Sequence, residues 1–156
     1  GYTLTEMVLV SAIVGIVSVV AATVMLRTQQ VQMTVSALAE TQQQAFAAFD
    51  VISRMLRQGS AASIVIDRYD SNQPPWSRIN FTVNATGRSI SIYQRERDLY
   101  MNGNKLFTNV RNINFAHPKS TSANILTVNL TFEKPVGPRQ SKAIQLYVQR
   151  IKIQNP

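Results

Sequence analysis

The sequence has no cysteine, a single histidine and few acidic residues. Without cysteine, the 156-residue chain has no disulfide, no thiolate metal site and no cysteine nucleophile. The histidine, His117, precedes Pro118, a setting more typical of a surface turn than of a ligand or general base. Only 8 Asp and Glu stand against 16 Lys and Arg, and the formal charge of +8 suggests nucleic acid, anionic lipid or an acidic surface as partners. Because the basic residues are scattered, a solvated basic surface is the simpler interpretation.

Catalytic and cofactor motifs are also missing. The sequence contains no G-x-S-x-G, P-loop, H-E-x-x-H or Rossmann pattern. Glu96 and Asp98 lie among arginines, which favours solvated ion pairs over a pair of catalytic acids. Asp67 and Asp70 begin an oxygen-rich segment, but it lacks the glycine and final glutamate of an EF-hand loop, and Arg68 interrupts it. We therefore predict that the chain is not an enzyme and has no cofactor or metal site.

Charge is absent from a long apolar run near the start of the sequence. Residues 7–26 carry no charged side chain, and Arg27 ends the run. A helix of about 20 residues spans about 30 Å, the thickness of a bilayer core. A cleaved signal peptide is the competing interpretation, but such a peptide has a basic segment before its apolar run, and here Glu6 occupies that place. The run predicts a membrane-spanning or filament-core helix.

The helical pattern continues beyond Arg27. Residues 29–57 contain neither proline nor glycine, and their apolar residues recur every three or four positions. This predicted stripe comprises Val31, Val35, Leu38, Ala45, Phe46, Phe49, Ile52 and Leu56. Arg54 and Arg57 suit the negative end of a helix, and Gly59 is a natural stop. We therefore predict one helix from about Thr3 to Gln58, some 80 Å long, with an apolar first half and an amphipathic second half.

After Gly59 the apolar residues alternate with a period of two, as in half-buried strands. Asn102-Gly103 predicts a tight hairpin, and the segment from Pro135 to Pro138 predicts a turn. We expect one antiparallel sheet of about five to seven strands, with one face packed on the helix stripe. The fold class is then α+β. We predict a stalk over residues 1–27 and a globular head over 28–156, built from the helix 28–58 and the sheet 60–156.

The first residues resemble a known signal region. Gly1, Tyr2, Thr3, Leu4 and Glu6, followed by the apolar run, match in order the start of type IV pilins and type II secretion pseudopilins. In that family a glycine precedes an aromatic residue, Thr, Leu, an apolar residue and Glu, and about 20 apolar residues follow. Tyr replaces the usual Phe at the second position. The later strands also resemble, weakly, the minor-pilin and J-like pseudopilin subgroup.

Three departures from the family pattern accompany the resemblance. Thr5 is polar where the family is usually apolar. Gly15 falls near a common glycine, but Ala22 and Thr23 stand where many pilins have a helix-breaking proline. The cysteine pair that closes a C-terminal loop in some pilins is missing. Without the proline, we predict that the stalk helix remains continuous inside a filament, where related pilins melt locally.

The resemblance implies processing, partners and location. A prepilin peptidase would cut after Gly1 and methylate the new N-terminus at Tyr2; alternatively, the cut falls one residue earlier and Gly1 is retained. The implied partners are further copies of the chain in a helical filament and an assembly platform in the inner membrane. The implied location is the inner membrane before assembly, and then a cell-surface or periplasmic filament that serves adhesion, motility, secretion or DNA uptake.

Glu6 has a chemical argument of its own. A carboxylate beside apolar residues at membrane depth costs several kcal/mol unless it is paired, and the nearest basic side chain in the sequence is Arg27. The N-terminal amine of a staggered neighbouring copy could reach it, and the resemblance implies this role in assembly. The simpler alternative is an acid in the first turn that the helix dipole favours.

A second class of function is also open. The segment around Arg88, Tyr93, Arg95 and Arg97 mixes basic and aromatic residues, as single-stranded nucleic acid sites do. A solvated strand face is the plainer interpretation of the same residues. On the alternative hypothesis, the chain is a singly anchored membrane protein whose basic head binds DNA or a protein without polymerising. That hypothesis gives Glu6 no role.

Overall fold

One helix, α1 (Leu4–Gln58), forms the first third of the chain. The structure is a computed structural model that describes residue 1 and residues 3–117, 124–136 and 141–153. Thr3 is the N-cap of α1, and Gly59 follows its last residue. At 1.5 Å per residue the helix is about 80 Å long. The prediction of one long helix ending at Gln58 is therefore confirmed.

Only the second half of α1 packs against the rest of the protein. The described residues before Ala37 are all exposed. The buried helix residues are Ala37, Thr41, Ala45, Ala48, Phe49, Ile52 and Leu56. Val31, Val35, Leu38 and Phe46, all assigned to the contact stripe by their spacing, are exposed instead. The contact face is rotated toward small residues because Ala and Thr side chains allow the helix axis to approach a sheet closely.

In the described part of the chain, eight strands follow the helix and a short 3₁₀ turn at Ala61–Ser63. Their bounds are β1 (Val65–Asp67), β2 (Arg78–Thr82), β3 (Ser89–Arg95), β4 (Asp98–Met101), β5 (Asn104–Phe107), β6 (Val110–Ala116), β7 (Ile125–Val136) and β8 (Ser141–Lys152). All observed pairings are antiparallel. The α+β class with a long helix and antiparallel strands is confirmed.

The strands form two sheets where the sequence suggested one. The first sheet has the order β1-β2-β3-β4-β5, and the second has the order β6-β7-β8. The chain changes sheet at Asn109, which has a positive φ of 62°. The Asn102-Gly103 turn between β4 and β5 also has positive φ at both residues, 50° and 87°, as a tight hairpin requires. The hairpin prediction is confirmed.

A buried glutamine joins the two sheets. The side chain of Gln94 on β3 donates from Nε2 to the carbonyl of Arg111 at 3.2 Å and accepts from the amide of Ile113 at 3.0 Å. The amide of Phe115 also donates to the carbonyl of Trp76 at 2.9 Å. The two sheets and α1 therefore enclose one main core, whose largest fully buried side chains include Phe81, Phe115 and Phe132. A separate small cluster consists of Ala37, Val136 and Ala143.

The long strands β7 and β8 support the helix. They pair over twelve positions, from Ile125 with Lys152 to Val136 with Ser141. Pro135 lies inside β7, opposite Lys142, so its assignment to a turn was wrong. β6 pairs with β7 only as far as Phe132, so Pro135 lies beyond the end of β6. Proline is tolerated there because no strand on that side needs a hydrogen bond from its nitrogen. The other end of that predicted turn, Pro138, lies outside the described residues.

Candidate assembly site

Glu6 forms a capping box with Thr3 at the start of α1. The Thr3 amide donates to Glu6 Oε2 at 2.8 Å, and the Thr3 hydroxyl reaches the same oxygen at 3.0 Å. In return, the Glu6 amide donates to Thr3 Oγ1 at 3.4 Å. This arrangement satisfies amide groups that would otherwise lack a partner at the helix end. The first-turn role weighed from the sequence is therefore present in the isolated chain.

The cap uses only one of the two oxygens of the Glu6 carboxylate. Both bonds from Thr3 go to Oε2, and among the described residues no donor reaches Oε1. None of the ion pairs among those residues involves Glu6. Arg27 lies 21 residues further along the helix, about 30 Å away. One carboxylate oxygen is thus available to a cation from outside the chain.

A bare apolar helix follows Glu6. From Leu4 to Ser36 every residue of α1 is exposed, although Gln32, Met33 and Ser36 line a shallow cleft with residues 134–136 of β7. The helix before Gln32 is about 40 Å long. Large apolar side chains project from every side of it; Leu9, Val14 and Ile16 are 63%, 58% and 67% exposed. By length and composition, α1 is the one helix in the described part of the chain that could cross a membrane. Burial of so long an apolar surface against lipid or other helices would be favourable.

The few hydroxyl groups on this stalk are satisfied within the helix. Ser11 Oγ donates to the Met7 carbonyl at 2.8 Å, and Ser18 Oγ donates to the Val14 carbonyl at 2.8 Å. Thr23 Oγ1 donates to the Val20 carbonyl, also at 2.8 Å. Since each hydroxyl has a partner in its own helix, these side chains can enter an apolar environment at low cost.

The two residues assigned to processing are only partly described. Gly1 is exposed at the start of the chain, ahead of the capped helix. Tyr2 lies outside the described residues. The implied cleavage and methylation remain predictions.

The residues proposed for nucleic-acid contact are not gathered into one site. Arg88 precedes β3, whereas Arg95 ends it, so about 23 Å of strand separates them. Arg97 is ion-paired with Glu133 at 2.9 Å. Tyr93 and Arg95 lie close together at the same end of β3, and Arg97 follows in the short turn before β4.

Tyr93 belongs to a stack that sequence reasoning missed. Its ring lies between those of Tyr69 and Tyr100, at centroid distances of 4.5 and 5.5 Å with nearly parallel planes. The Arg95 guanidinium lies 5.9 Å from the centre of the Tyr69 ring. The Tyr93–Tyr100 contact follows from the register of β3 and β4, which the short turn between them fixes. Both faces of the Tyr93 ring are therefore occupied within the protein, and a nucleic acid base has no access to them.

Glu133 is the other feature that sequence reasoning missed. It lies on the face of β7 directed away from the helix, and its side chain is only 5% exposed. Three cations surround it: Lys142 at 2.8 Å, Arg97 at 2.9 Å and Arg111 at 2.9 Å. The hydrogen bond from Lys142 is the main cause of a lowered Glu133 pKa, and the two arginines add to it against the opposing effect of desolvation. Nothing in the local sequence marks Glu133, because its partners come from three other segments.

The acidic residues at the end of β1 and in the loop after it hold the local structure together. Asp67 accepts hydrogen bonds from Arg78, including one from Nε at 2.6 Å, which lowers the pKa of Asp67. Asp70 Oδ1 accepts from the amide of Asn72 at 2.8 Å. Among the described residues, no group of three or more His, Asp or Glu side chains is placed to hold a metal ion.

Comparison of the chain with protein-family models, with curated proteins and with solved structures gave no match.

Proposed function

We propose that the chain is a structural subunit of a type IV pilus-like filament, of the pilin or type II secretion pseudopilin kind. In this proposal, the apolar half of α1 anchors the subunit in the inner membrane and then becomes part of the helical core of the filament. The head decorates the outside. A prepilin peptidase processes the N-terminus at Gly1 and Tyr2, and an inner-membrane platform assembles the filament.

The observation that carries the proposal is the pairing of a bare apolar stalk with one carboxylate at its tip. Both a single membrane anchor and a filament subunit need an apolar helix. Only the filament gives Glu6 a cationic partner in addition to its cap with Thr3, since the amine of a neighbouring copy can approach the unused Oε1 when copies are staggered by a few residues along the axis. The alternative of DNA binding gains no support from Tyr93 and Arg97, because both faces of the Tyr93 ring and the charge of Arg97 are already engaged.

The test separates the charge of Glu6 from its capping role. Glu6→Gln keeps a side chain that can complete a capping box but removes the charge. We expect this variant to reach the membrane in normal amounts and to form few or no fibres by electron microscopy. Thr3→Ala is the matched control: it removes the cap, at a cost of about 1 kcal/mol in helix stability, and keeps the charge. We expect it to form fibres.

Two results would contradict the proposal. Normal fibre numbers in Glu6→Gln would show that the charge is dispensable for assembly. If the wild-type chain, expressed with its peptidase and platform, remained a membrane-bound monomer, the anchored-protein alternative would replace the filament.

A further inference from the structure

The last strand, β8, has a free edge. It ends the sheet order β6-β7-β8, and β7 occupies only one of its sides. Among the described residues, no backbone hydrogen bond joins β8 to anything but β7. In an antiparallel strand every second residue directs its N–H and C=O toward the same side, so half of the backbone groups of β8 face outward. Such an edge is a template for another strand.

The centre of this edge lacks the usual protection. Natural edge strands are kept from pairing by charges, prolines or bulges. Residues 143–149 contain no charge, proline or glycine, and the twelve-residue register with β7 has no bulge. The strand also carries an exposed apolar row, the β8 stripe, formed by Ile144, Leu146 and Val148. These side chains are 48%, 61% and 61% exposed on the face directed away from α1.

Positive charge borders the β8 stripe at both ends. At one end lies the Glu133 cluster, in which three cations surround a single carboxylate and leave a net charge of about +2. At the other end, Arg150 and Lys152 are exposed on the same face of β8 as the stripe. The surface is therefore an uncharged apolar centre between two basic ends.

This charge pattern decides between the candidate occupants. If two copies paired through β8 in antiparallel fashion about Leu146, Lys142 of each copy would lie opposite Arg150 of the other. Like charges directly opposite destabilise a strand pair. A membrane surface could meet the apolar and basic side chains, but it offers nothing to the backbone edge. An extended chain with acidic ends satisfies the edge, the stripe and the charge together.

We infer that β8 binds an extended segment of another protein, apolar in its middle and acidic at both ends, which adds a fourth strand to the β6-β7-β8 sheet. Main-chain hydrogen bonds supply affinity in such complexes, and alternate side chains supply specificity. The inference concerns the head alone and does not depend on polymerisation of the stalk.

The probe is a synthetic peptide of about 11 residues, with alternating Val and Thr in the middle and Glu at each end. Binding of the labelled peptide to the full chain in detergent micelles is followed by fluorescence anisotropy, and hydrogen exchange reports the amides of β8. We expect saturable binding that weakens as salt is raised, with slower exchange of the amides facing the edge. Replacing Glu by Lys in the peptide, or N-methylating its alternate amides, should weaken binding at least about tenfold.

A matched pair of protein variants locates the site. Leu146→Thr combined with Val148→Thr keeps β-forming residues and disturbs no buried side chain, and should weaken peptide binding about tenfold. Val65→Thr alters a residue of similar exposure, 56%, on the edge strand of the other sheet, and should leave binding unchanged.

Several results would overturn the inference. One is equal binding of the N-methylated peptide or unchanged exchange in β8. Another is an equal loss of affinity in Val65→Thr. Cross-links between the β8 strands of two copies in the absence of peptide would assign the edge to self-association. Protection of β8 by anionic lipid nanodiscs alone would assign it to the membrane.

Discussion

At the scale of single residues, Gly59 illustrates how one residue type can serve a different purpose from the one its position suggests. Its place after the last helical turn predicts a cap in the left-handed conformation. Its actual φ and ψ are −74° and 158°, which any residue can adopt. Glycine is needed there because a Cβ would lie 2.7 Å from Phe81 Cδ2. The sequence could not reveal this reason, since Phe81 approaches from a strand that begins nineteen residues later at Arg78.

We therefore expect Gly59→Ala to destabilise the head. The new methyl group would displace a buried aromatic ring, at a cost of about 1–3 kcal/mol in the free energy of unfolding. Urea unfolding of the detergent-solubilised chain measures the difference. Gly15→Ala serves as the control, because a Cβ there meets no atom within 4 Å. Unchanged stability in Gly59→Ala would mean that Phe81 moves aside freely.

The charge of Glu133 makes the free energy of unfolding depend on pH. Its pKa is lowered in the folded protein, chiefly by the hydrogen bond from Lys142. An unfolded Glu titrates near about 4.3, so the stabilising contribution is fully present above that pH and is lost as pH falls through the lower folded pKa. We expect Glu133→Gln to be less stable than wild type at pH 7, and the difference to be smaller at pH 3. Urea unfolding at both pH values tests this.

The control for the Glu133 prediction is Asp50→Asn. Asp50 pairs with Arg54 on the exposed surface of α1, where an ion pair contributes little. The free energy of unfolding of Asp50→Asn should match that of wild type at both pH values. A difference between Glu133→Gln and wild type that persisted unchanged at pH 3 would show that packing, rather than charge, is responsible.

At the scale of elements, the helix was predictable in extent but not in orientation. The absence of Pro and Gly from residues 29–57 predicted its length, because both residues disfavour helix interiors. The contact face includes Ala37, Thr41 and Ala48. These residues are only weakly apolar, so they were not counted when the predicted stripe was assigned from the spacing of apolar residues. Small side chains are favoured where a helix lies close to a sheet, so the spacing of large apolar residues does not show which face makes the contact.

The stalk should remain helical inside a filament. Gly15 lowers helix propensity by about 1 kcal/mol relative to Ala, but each backbone amide freed in an apolar core would cost about 2 kcal/mol or more. The hydroxyls of Ser18 and Thr23 donate to carbonyls of their own helix in this region, so they need no other hydrogen-bond partner. A filament map at side-chain resolution would show continuous helix from Gly15 to Thr23. Extended backbone density there would mean that packing of neighbouring stalks overrides the local preference.

At the scale of the whole molecule, alternation predicted most strands but not their division into two sheets. Strand pairing follows from short turns such as Asn102-Gly103, which fix neighbours locally. The change of sheet depends on a single positive φ at Asn109 and on the long-range contacts of Gln94. Likewise, the apolar stalk and the special position of Glu6 could be predicted from the sequence. The contacts of Tyr69, Tyr100 and Glu133 could not, because their partners are distant along the chain.

The head should fold without the stalk. A fragment of residues 28–156 retains every buried residue of α1, and we expect a soluble monomer with helix and strand signals in circular dichroism. Because the described residues before Ala37 are all exposed, a fragment beginning at residue 36 should match its free energy of unfolding within about 0.5 kcal/mol. A fragment beginning at residue 46 loses Ala37, Thr41 and Ala45 from the interface and should be clearly weaker. An insoluble product from residue 28 would show that the head needs its neighbours.

The packing of the first element against the last has a consequence for biosynthesis. Contacts such as Ser53 with Gln149 and Glu40 with Lys134 join residues more than 90 positions apart. The apolar stalk leaves the ribosome before the head, whereas β8, which completes the helix–sheet interface, follows all the other strands. The contact face of the amphipathic half of α1 therefore stays uncovered until β8 has been synthesised, and closure of so long a loop is slow. Nascent chains that stop before β8 should accordingly be open to proteases and dependent on chaperones, even when the stalk is already in the membrane.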